Sequence, residues 1–126
     1  MHADDDRDNP WKRTRGVRRV LRAAGYSLQG LAAAFRHESA FRQEVLLALV
    51  LIPLALLGER PTLHRVAMIA SVVLVLIVEL INSAVEAVVD RVSTEANPLS
   101  KRAKDYGSAA VFLALALVAV TYAALW

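Results

Sequence analysis

The chain has 126 residues, which is enough for one domain, and 56% of them are hydrophobic while 21% are charged. It contains no cysteine, so a disulfide scaffold, an iron–sulfur cluster and thiol chemistry are excluded. The formal net charge of +3 is unevenly distributed. The N-terminal arm is rich in arginine, whereas long apolar runs begin at Val45, and no signal-peptide pattern precedes them. This separation of charged and apolar segments is typical of an integral membrane protein.

The N-terminal arm is predicted to comprise a disordered polar tail, residues 1–15, followed by an amphipathic surface helix over about residues 16–36. Gly25 is expected to break or bend this helix, with Ser27 able to cap the helical segment after the break. A basic amphipathic helix beside membrane spans is expected to lie in the headgroup layer of the anionic cytoplasmic face, with a solvated arm as the alternative. The apolar positions recur at spacings of three and four, and the arginines lie off that stripe: Val17, Val20, Leu21, Ala24, Leu28, Leu31 and Phe35.

Three membrane spans are predicted, over about residues 40–57, 66–89 and 107–126, so that residues 16–126 form one membrane-embedded domain. The uninterrupted apolar part of the first span begins only at Val45 and is shorter than the ~20 residues needed to cross the hydrocarbon. Residues 41–44 must therefore contribute to it, with Arg42 and Glu44 near the membrane interface. Pro53 is tolerated because neighbouring helices can satisfy the freed carbonyl. A polar turn is expected at 58–65 and a polar loop at 90–105.

The distribution of basic residues predicts the topology. The N-terminal arm and the 90–105 loop are rich in lysine and arginine, whereas the 58–65 turn has only Arg60 and Arg65. Positive residues concentrate on the cytoplasmic side. We therefore expect the N-terminus and the 90–105 loop to be cytoplasmic and the C-terminus to be outside.

The second span carries a row of polar residues. Glu79, Asn82, Glu86 and Asp90 follow at steps of three, four and four, which places them on one face of a helix, with Ser83 beside it. Each carboxylate within a span costs roughly 2.5–3.5 kcal/mol on insertion scales, so such a row indicates a functional site that binds something positively charged. The alternative is that Glu86 and Asp90 are helix-end residues that pair with Arg91.

Further charged residues lie at the same cytoplasmic boundary. Glu38 precedes the first span, and Lys104 and Asp105 precede the third. Two carboxylates from different helices suit Mg²⁺, which binds one or two carboxylates together with substrate phosphates, and a lysine supplies a positive charge for phosphate. No glycine-rich nucleotide loop occurs. The residues alone thus predict an intramembrane acidic site with a divalent cation, and they do not name a reaction.

Four segments resemble the prokaryotic diacylglycerol kinase family: AAGYS (23–27), ESAFRQE (38–44), VELINSAVEAVVDR (78–91) and AKDYGSAAV (103–111). The resemblance implies an all-α membrane enzyme of the bacterial inner membrane, a homotrimer whose protomers each have three transmembrane helices and a surface helix. It also implies transfer of the γ-phosphate of MgATP to the primary hydroxyl of diacylglycerol, with phosphatidic acid as product and no nucleic-acid partner.

The resemblance also implies roles for individual residues. Glu79 corresponds to the catalytic base and is supported by Asn82, while Glu38 and Glu86 correspond to metal ligands. The remaining positions are substrate contacts. Those for ATP are Arg19, Tyr26, Glu38, Glu86, Asp90, Lys104 and Asp105. Those for the lipid are Arg19, Ala24, Ser27, Gln43, Glu79 and Ser108.

Three alternatives stay open at this point. Some members of the family phosphorylate undecaprenol instead of diacylglycerol. From another class, the acidic row could be a proton or cation path in a small channel or transporter. A purely structural membrane adaptor is the third, although polar contacts between helices usually need one Asn or Ser rather than several acids.

Overall fold

The computed structural model describes residues 10–92 and 95–126, with side chains described from Gly16 onward except at 93 and 94. Within these ranges the chain forms four helices and no strand: α1 (Pro10–His37), α2 (Ser39–Leu57), α3 (Thr62–Val92) and α4 (Pro98–Leu125). This confirms the predicted all-α class. The chain divides into two compact units, residues 1–33 and residues 34–126. Residues 1–9 of the predicted tail lie outside the described part.

The helix α1 begins at Pro10, earlier than the residue 16 predicted, and runs without interruption to His37. Proline suits a helix start because its missing N–H has no partner in the first turn anyway. Gly25 does not break the helix, contrary to expectation, and Ser27 does not cap a new one. Instead, the Ser27 hydroxyl donates to the Ala23 carbonyl, 2.9 Å away, inside the continuous helix. A single glycine costs a helix only about 1 kcal/mol relative to alanine, which the helix formers on either side of Gly25 outweigh.

Helices α2, α3 and α4 are each long and apolar enough to cross a membrane, which confirms the three predicted spans. The chain is therefore a multi-pass membrane protein. Their bounds differ from the prediction, because α3 begins at Thr62 rather than 66 and α4 begins at Pro98 rather than 107. The predicted loop at 90–105 shrinks to the short link between Val92 and Pro98, and the turn at 58–65 shrinks to residues 58–61.

The early start of α4 has a local cause in its capping residues. The Asn97 side-chain oxygen accepts from the backbone N–H groups of Leu99 at 2.8 Å and Ser100 at 3.4 Å, and Pro98 occupies the first turn. One turn further on, Lys101 Nζ lies 2.7 Å from an Asp105 carboxylate oxygen, an i,i+4 pair on the same helix. A polar segment that reads as a loop is thus stabilised as a helix.

The helix α3 packs against both α2 and α4, and the core lies along these two contacts. The small side chains of the outer helices meet valines of α3, which lets the backbones approach closely. The outward faces of α2 and α4 are apolar and exposed, as expected for surfaces that contact lipid. The core residues are Ala48, Val72, Val75, Ala114 and Val118.

The end of the bundle where α2 terminates is held by Arg60. Its Nη1 donates to the Leu54 carbonyl at 2.9 Å and the Ala55 carbonyl at 3.4 Å, which are among the carbonyls left unpaired at a helix end. The same guanidinium lies 4.2 Å from the ring centroid of Trp126. Arg60 therefore joins the end of α2 to the end of α4.

Candidate functional site

The polar row on α3 is present as predicted, and its burial falls along the helix. Glu79 and Asn82 are buried, with exposed fractions of 5% and 8%. Glu86 is half-buried and Asp90 is exposed at the side-chain level. The Asn82 Nδ2 donates to a Glu86 carboxylate oxygen over 3.5 Å, so the two side chains point the same way. The row thus runs from the interior of the bundle to its surface.

The structure adds Glu44, which the sequence placed only near the membrane interface. Glu44 is buried on α2, and its carboxyl group lies within hydrogen-bonding reach of that of Glu79 on α3. One of its oxygens, Oε2, has no hydrogen-bond partner in the described part of the chain. The signal that could have found it is spacing, because Phe41, Glu44, Ala48 and Ala55 share the buried face of α2.

Glu38 occupies the N-cap position of α2, yet its side chain makes no capping hydrogen bond. It lies close enough to Glu79 to interact electrostatically, as does Glu86. Carboxylates from α2 and α3 therefore gather around Glu79. The nearby cation Arg42 is directed elsewhere, since its Nη1 donates to the backbone carbonyls of residues 35 and 36 at 2.9 and 3.0 Å.

These residues fit a magnesium ion by the chemistry of their donors. Within residues 10–92 and 95–126, no group of three or more His, Cys, Asp or Glu is close enough to hold a metal by itself. Mg²⁺ does not require such a group, because it usually keeps several waters and binds one or two carboxylates plus phosphates. Glu38 and Glu86 carry carboxylate oxygens of the kind that Mg²⁺ binds. The Oδ1 of Asn82, whose Nδ2 contacts Glu86, is buried without a hydrogen-bond partner among the described atoms.

A second group of charged residues joins the exposed ends of α3 and α4. Lys104 Nζ donates to an Asp90 carboxylate oxygen at 2.6 Å. Beside this pair opens a cleft of about 670 Å³, whose lining includes Asp90, Asn97, Lys101, Lys104 and Asp105. This volume falls within the roughly 300–1,000 Å³ of small-molecule sites. Lys104 also lies near Glu86, so the cleft adjoins the acidic row.

The other predicted contacts are more scattered. Gln43 and Ser108 are exposed on α2 and α4. The predicted contacts on α1 belong to the first compact unit, where all are exposed: Arg19, Ala24, Tyr26 and Ser27. The structure thus brings together the residues on α2, α3 and α4 that were predicted for base, metal and phosphate.

Known proteins resemble this chain over most of its length. The sequence profile of the prokaryotic diacylglycerol kinase family matches residues 25–126. The diacylglycerol kinase of Pseudomonas aeruginosa is 58% identical over 115 residues, which cover 91% of this chain and 94% of that protein. Those of Haemophilus influenzae and Escherichia coli are each 49% identical, covering 87% and 86% of this chain and 93% and 89% of the relatives.

Proposed function

The chain belongs to the prokaryotic diacylglycerol kinase family, and from this premise we propose that it transfers the γ-phosphate of ATP to the primary hydroxyl of diacylglycerol. The products are phosphatidic acid and ADP. The observation that carries the proposal is the position of Glu79. It is a buried acid inside a membrane-crossing helix, and the row that it begins leads to a charged cleft. A lipid hydroxyl and a water-soluble phosphate donor can meet only at such a boundary.

Glu79 is the proposed general base. The lipid hydroxyl oxygen attacks the γ-phosphorus, the bond between that phosphorus and the β,γ-bridging oxygen breaks, and the hydroxyl proton passes to the Glu79 carboxylate. Glu44 faces Glu79 from α2 and holds its carboxyl group in place. Asn82, one turn along α3, supports the same arrangement through Glu86.

Glu38 and Glu86 are the proposed ligands of Mg²⁺. When bound, the ion neutralises charge on the phosphate oxygens and holds them in position. Lys104 supplies a second positive charge to the phosphates. In the structure its ammonium is paired with Asp90, so an incoming phosphate would share or replace this exposed partner. Asp90 and Asp105 are then proposed nucleotide contacts at the wall of the cleft.

The remaining substrate contacts are proposals from the family resemblance. Arg19 and Tyr26 contact the nucleotide, and Arg19 also contacts the lipid. The other lipid contacts are Ala24, Ser27, Gln43 and Ser108.

The proposed setting is the bacterial inner membrane, with the N-terminus, the 92–98 link and the cleft on the cytoplasmic side, where ATP is available. The lysines and arginines near that link support this orientation. A homotrimer is the proposed assembly. The exposed apolar faces of α2 and α4 are compatible with contacts to lipid or to further copies, and partners would shield the acidic residues.

Phosphate transfer in a defined bilayer tests the function. Purified protein in vesicles with diacylglycerol, Mg²⁺ and γ-labelled ATP should yield labelled phosphatidic acid. Glu79→Gln should lower this transfer by about 10²–10⁴-fold. Glu59 is an exposed acid at the opposite end of the bundle, and Glu59→Gln should preserve the transfer. Labelling of undecaprenol instead would reassign the substrate. If no lipid is labelled and the same vesicles show proton or cation flux, the proposed kinase function is wrong and the protein conducts ions.

A further inference from the structure

Gly107 on α4 lies directly against the side chain of Asn82 on α3. A Cβ atom built on Gly107 would overlap the Asn82 Oδ1 and press on its Cγ. The position is different for Gly16, Gly25 and Gly30, where an added Cβ meets nothing within 4 Å. The missing side chain at 107 therefore provides space that the Asn82 carboxamide occupies.

The carboxamide that fills this space is closely confined. Asn82 is only 8% exposed, its Nδ2 donates to Glu86, and its Oδ1 has no hydrogen-bond partner in the described part of the chain. Its orientation is thus fixed by one weak hydrogen bond over 3.5 Å and by the shape of the surrounding packing. Because that hydrogen bond is long, the packing against Gly107 must contribute much of the constraint.

An added methyl group at position 107 would displace the Asn82 side chain and leave the helix packing largely intact. The atoms it would overlap belong to the end of a side chain, which can rotate, and not to the backbone of α3. Alanine also has a higher helix propensity than glycine, so α4 itself would gain from the change. The expected consequence is a displaced Asn82 in a folded protein.

We propose that Gly107 is a positioning residue for phosphoryl transfer: by lacking a side chain, it holds the Asn82 carboxamide in the orientation that donates to Glu86. This rests on the proposed function, in which Glu86 is a metal ligand. Hydrogen bonds to a ligating carboxylate orient the ligand, and their loss commonly lowers metal affinity or activity by about 10–100-fold. Gly107 thus acts on the reaction through Asn82.

The test compares Gly107→Ala with the matched control Gly30→Ala. Gly107→Ala should still fold, as thermal unfolding checks, yet lose about 10–100-fold in kcat or require about 10–100-fold more Mg²⁺ for half-maximal activity. Gly30→Ala should leave kcat and the Mg²⁺ requirement unchanged. Activity within about twofold of wild type in Gly107→Ala, at unchanged Mg²⁺ dependence, would overturn the proposal.

A double-mutant cycle with Asn82→Ala separates positioning from a general packing role. If Gly107 acts through Asn82, adding Gly107→Ala to Asn82→Ala causes no further loss of activity. Multiplying losses would show an independent role and contradict the proposal. Gly107→Ala alone could fail to fold because of the overlap with Asn82. Asn82→Ala restores the space, so the double variant should then fold. A double variant that also fails to fold rejects the proposed overlap.

A spectroscopic readout keeps this inference distinct from the kinase assignment. The asparagines of the chain are Asn9, Asn82 and Asn97, so ¹⁵N-asparagine labelling gives a simple set of side-chain amide signals. Gly107→Ala should shift the Asn82 signal and leave that of Asn97 in place. An unchanged Asn82 signal rejects the positioning role whatever the activity. If the Asn82 signal shifts in Gly107→Ala but the wild-type protein transfers no phosphate, the contact between the two residues stands and the kinase function is rejected.

Discussion

The carboxyl group of Glu44 on α2 lies opposite that of Glu79 on α3, and each is more than nine-tenths buried. Among the residues that the structure describes, neither has a basic side chain as its partner across this helix contact, and Arg42 on α2 donates to backbone carbonyls instead. Burying two acidic groups together is costly unless they interact with each other or with a ligand. The cost of burying this pair therefore supports its inclusion in the proposed site.

Replacing Glu79 with glutamine should remove the proposed base and preserve the shape of the site. We expect Glu79→Gln to insert and fold like the wild type, while kcat falls by about 10²–10⁴-fold, the range for general-base catalysis. Initial rates at saturating ATP and lipid measure the loss. Near-normal turnover would exclude Glu79 as the base.

Substitutions at Glu44 should separate its hydrogen bonding from its packing. Glu44→Leu leaves the Glu79 carboxyl without its polar partner, and a buried polar group left unpaired costs about 1–3 kcal/mol. Glu44→Gln keeps a polar partner and should retain more activity than Glu44→Leu. Thermal unfolding and kcat, measured on both variants, check this order. If Glu44→Leu is the more active of the two, Glu44 does not position Glu79.

The pair of Lys104 and Asp90 should affect ATP binding more than stability. Both side chains are well exposed, at 44% and 64%, and exposed ion pairs contribute little to folding. We expect Lys104→Met to raise the KM for ATP at least about tenfold, because a phosphate loses its charged contact. Asp90→Asn should unfold at nearly the wild-type temperature, and it should raise the KM for ATP less than Lys104→Met does. An unchanged or lower KM in Asp90→Asn would remove Asp90 from the proposed nucleotide contacts.

The cap at Asn97 should be important for both stability and ATP binding. Asn97→Ala removes the acceptor for the Leu99 and Ser100 N–H groups, which costs about 1 kcal/mol. Fraying of the first turns of α4 would also disturb Lys101 and Lys104, so the KM for ATP should rise. Asn97→Asp keeps a capping oxygen and is the matched control. Equal effects of the two substitutions would point to an amide-specific contact rather than a cap.

Much of the fold could be predicted because membranes impose simple rules. The three spans follow from their apolar length, and the common face of Glu79, Asn82 and Glu86 follows from helical periodicity alone. The start of α4 could not be predicted this way. Residues 98–105 are polar enough to be predicted as a loop, but the Asn97 cap and the Lys101–Asp105 pair both favour a helix there.

The parts of the site that escaped prediction depend on how helices pack. The sequence predicts that Glu44 lies at the membrane interface, whereas the packing of α2 against α3 places it opposite Glu79. Nothing in the sequence distinguishes Gly107 from other small residues, and only the packing of α4 shows that it lies against Asn82. Periodicity within one helix cannot supply these registers, because they are set by side-chain fit between two helices.

The unequal helix lengths have a consequence for how the protein senses the bilayer. At 1.5 Å per residue, α2 is about 28 Å long, close to the hydrocarbon thickness, whereas α3 and α4 reach about 46 and 42 Å. The two longer helices therefore exceed the hydrocarbon thickness, and the cleft lies near their ends, beyond the length that the bilayer requires. We expect the depth of the lipid hydroxyl relative to the cleft to change with bilayer thickness. Turnover should consequently pass through a maximum as acyl-chain length varies, with thinner and thicker bilayers both misaligning donor and acceptor.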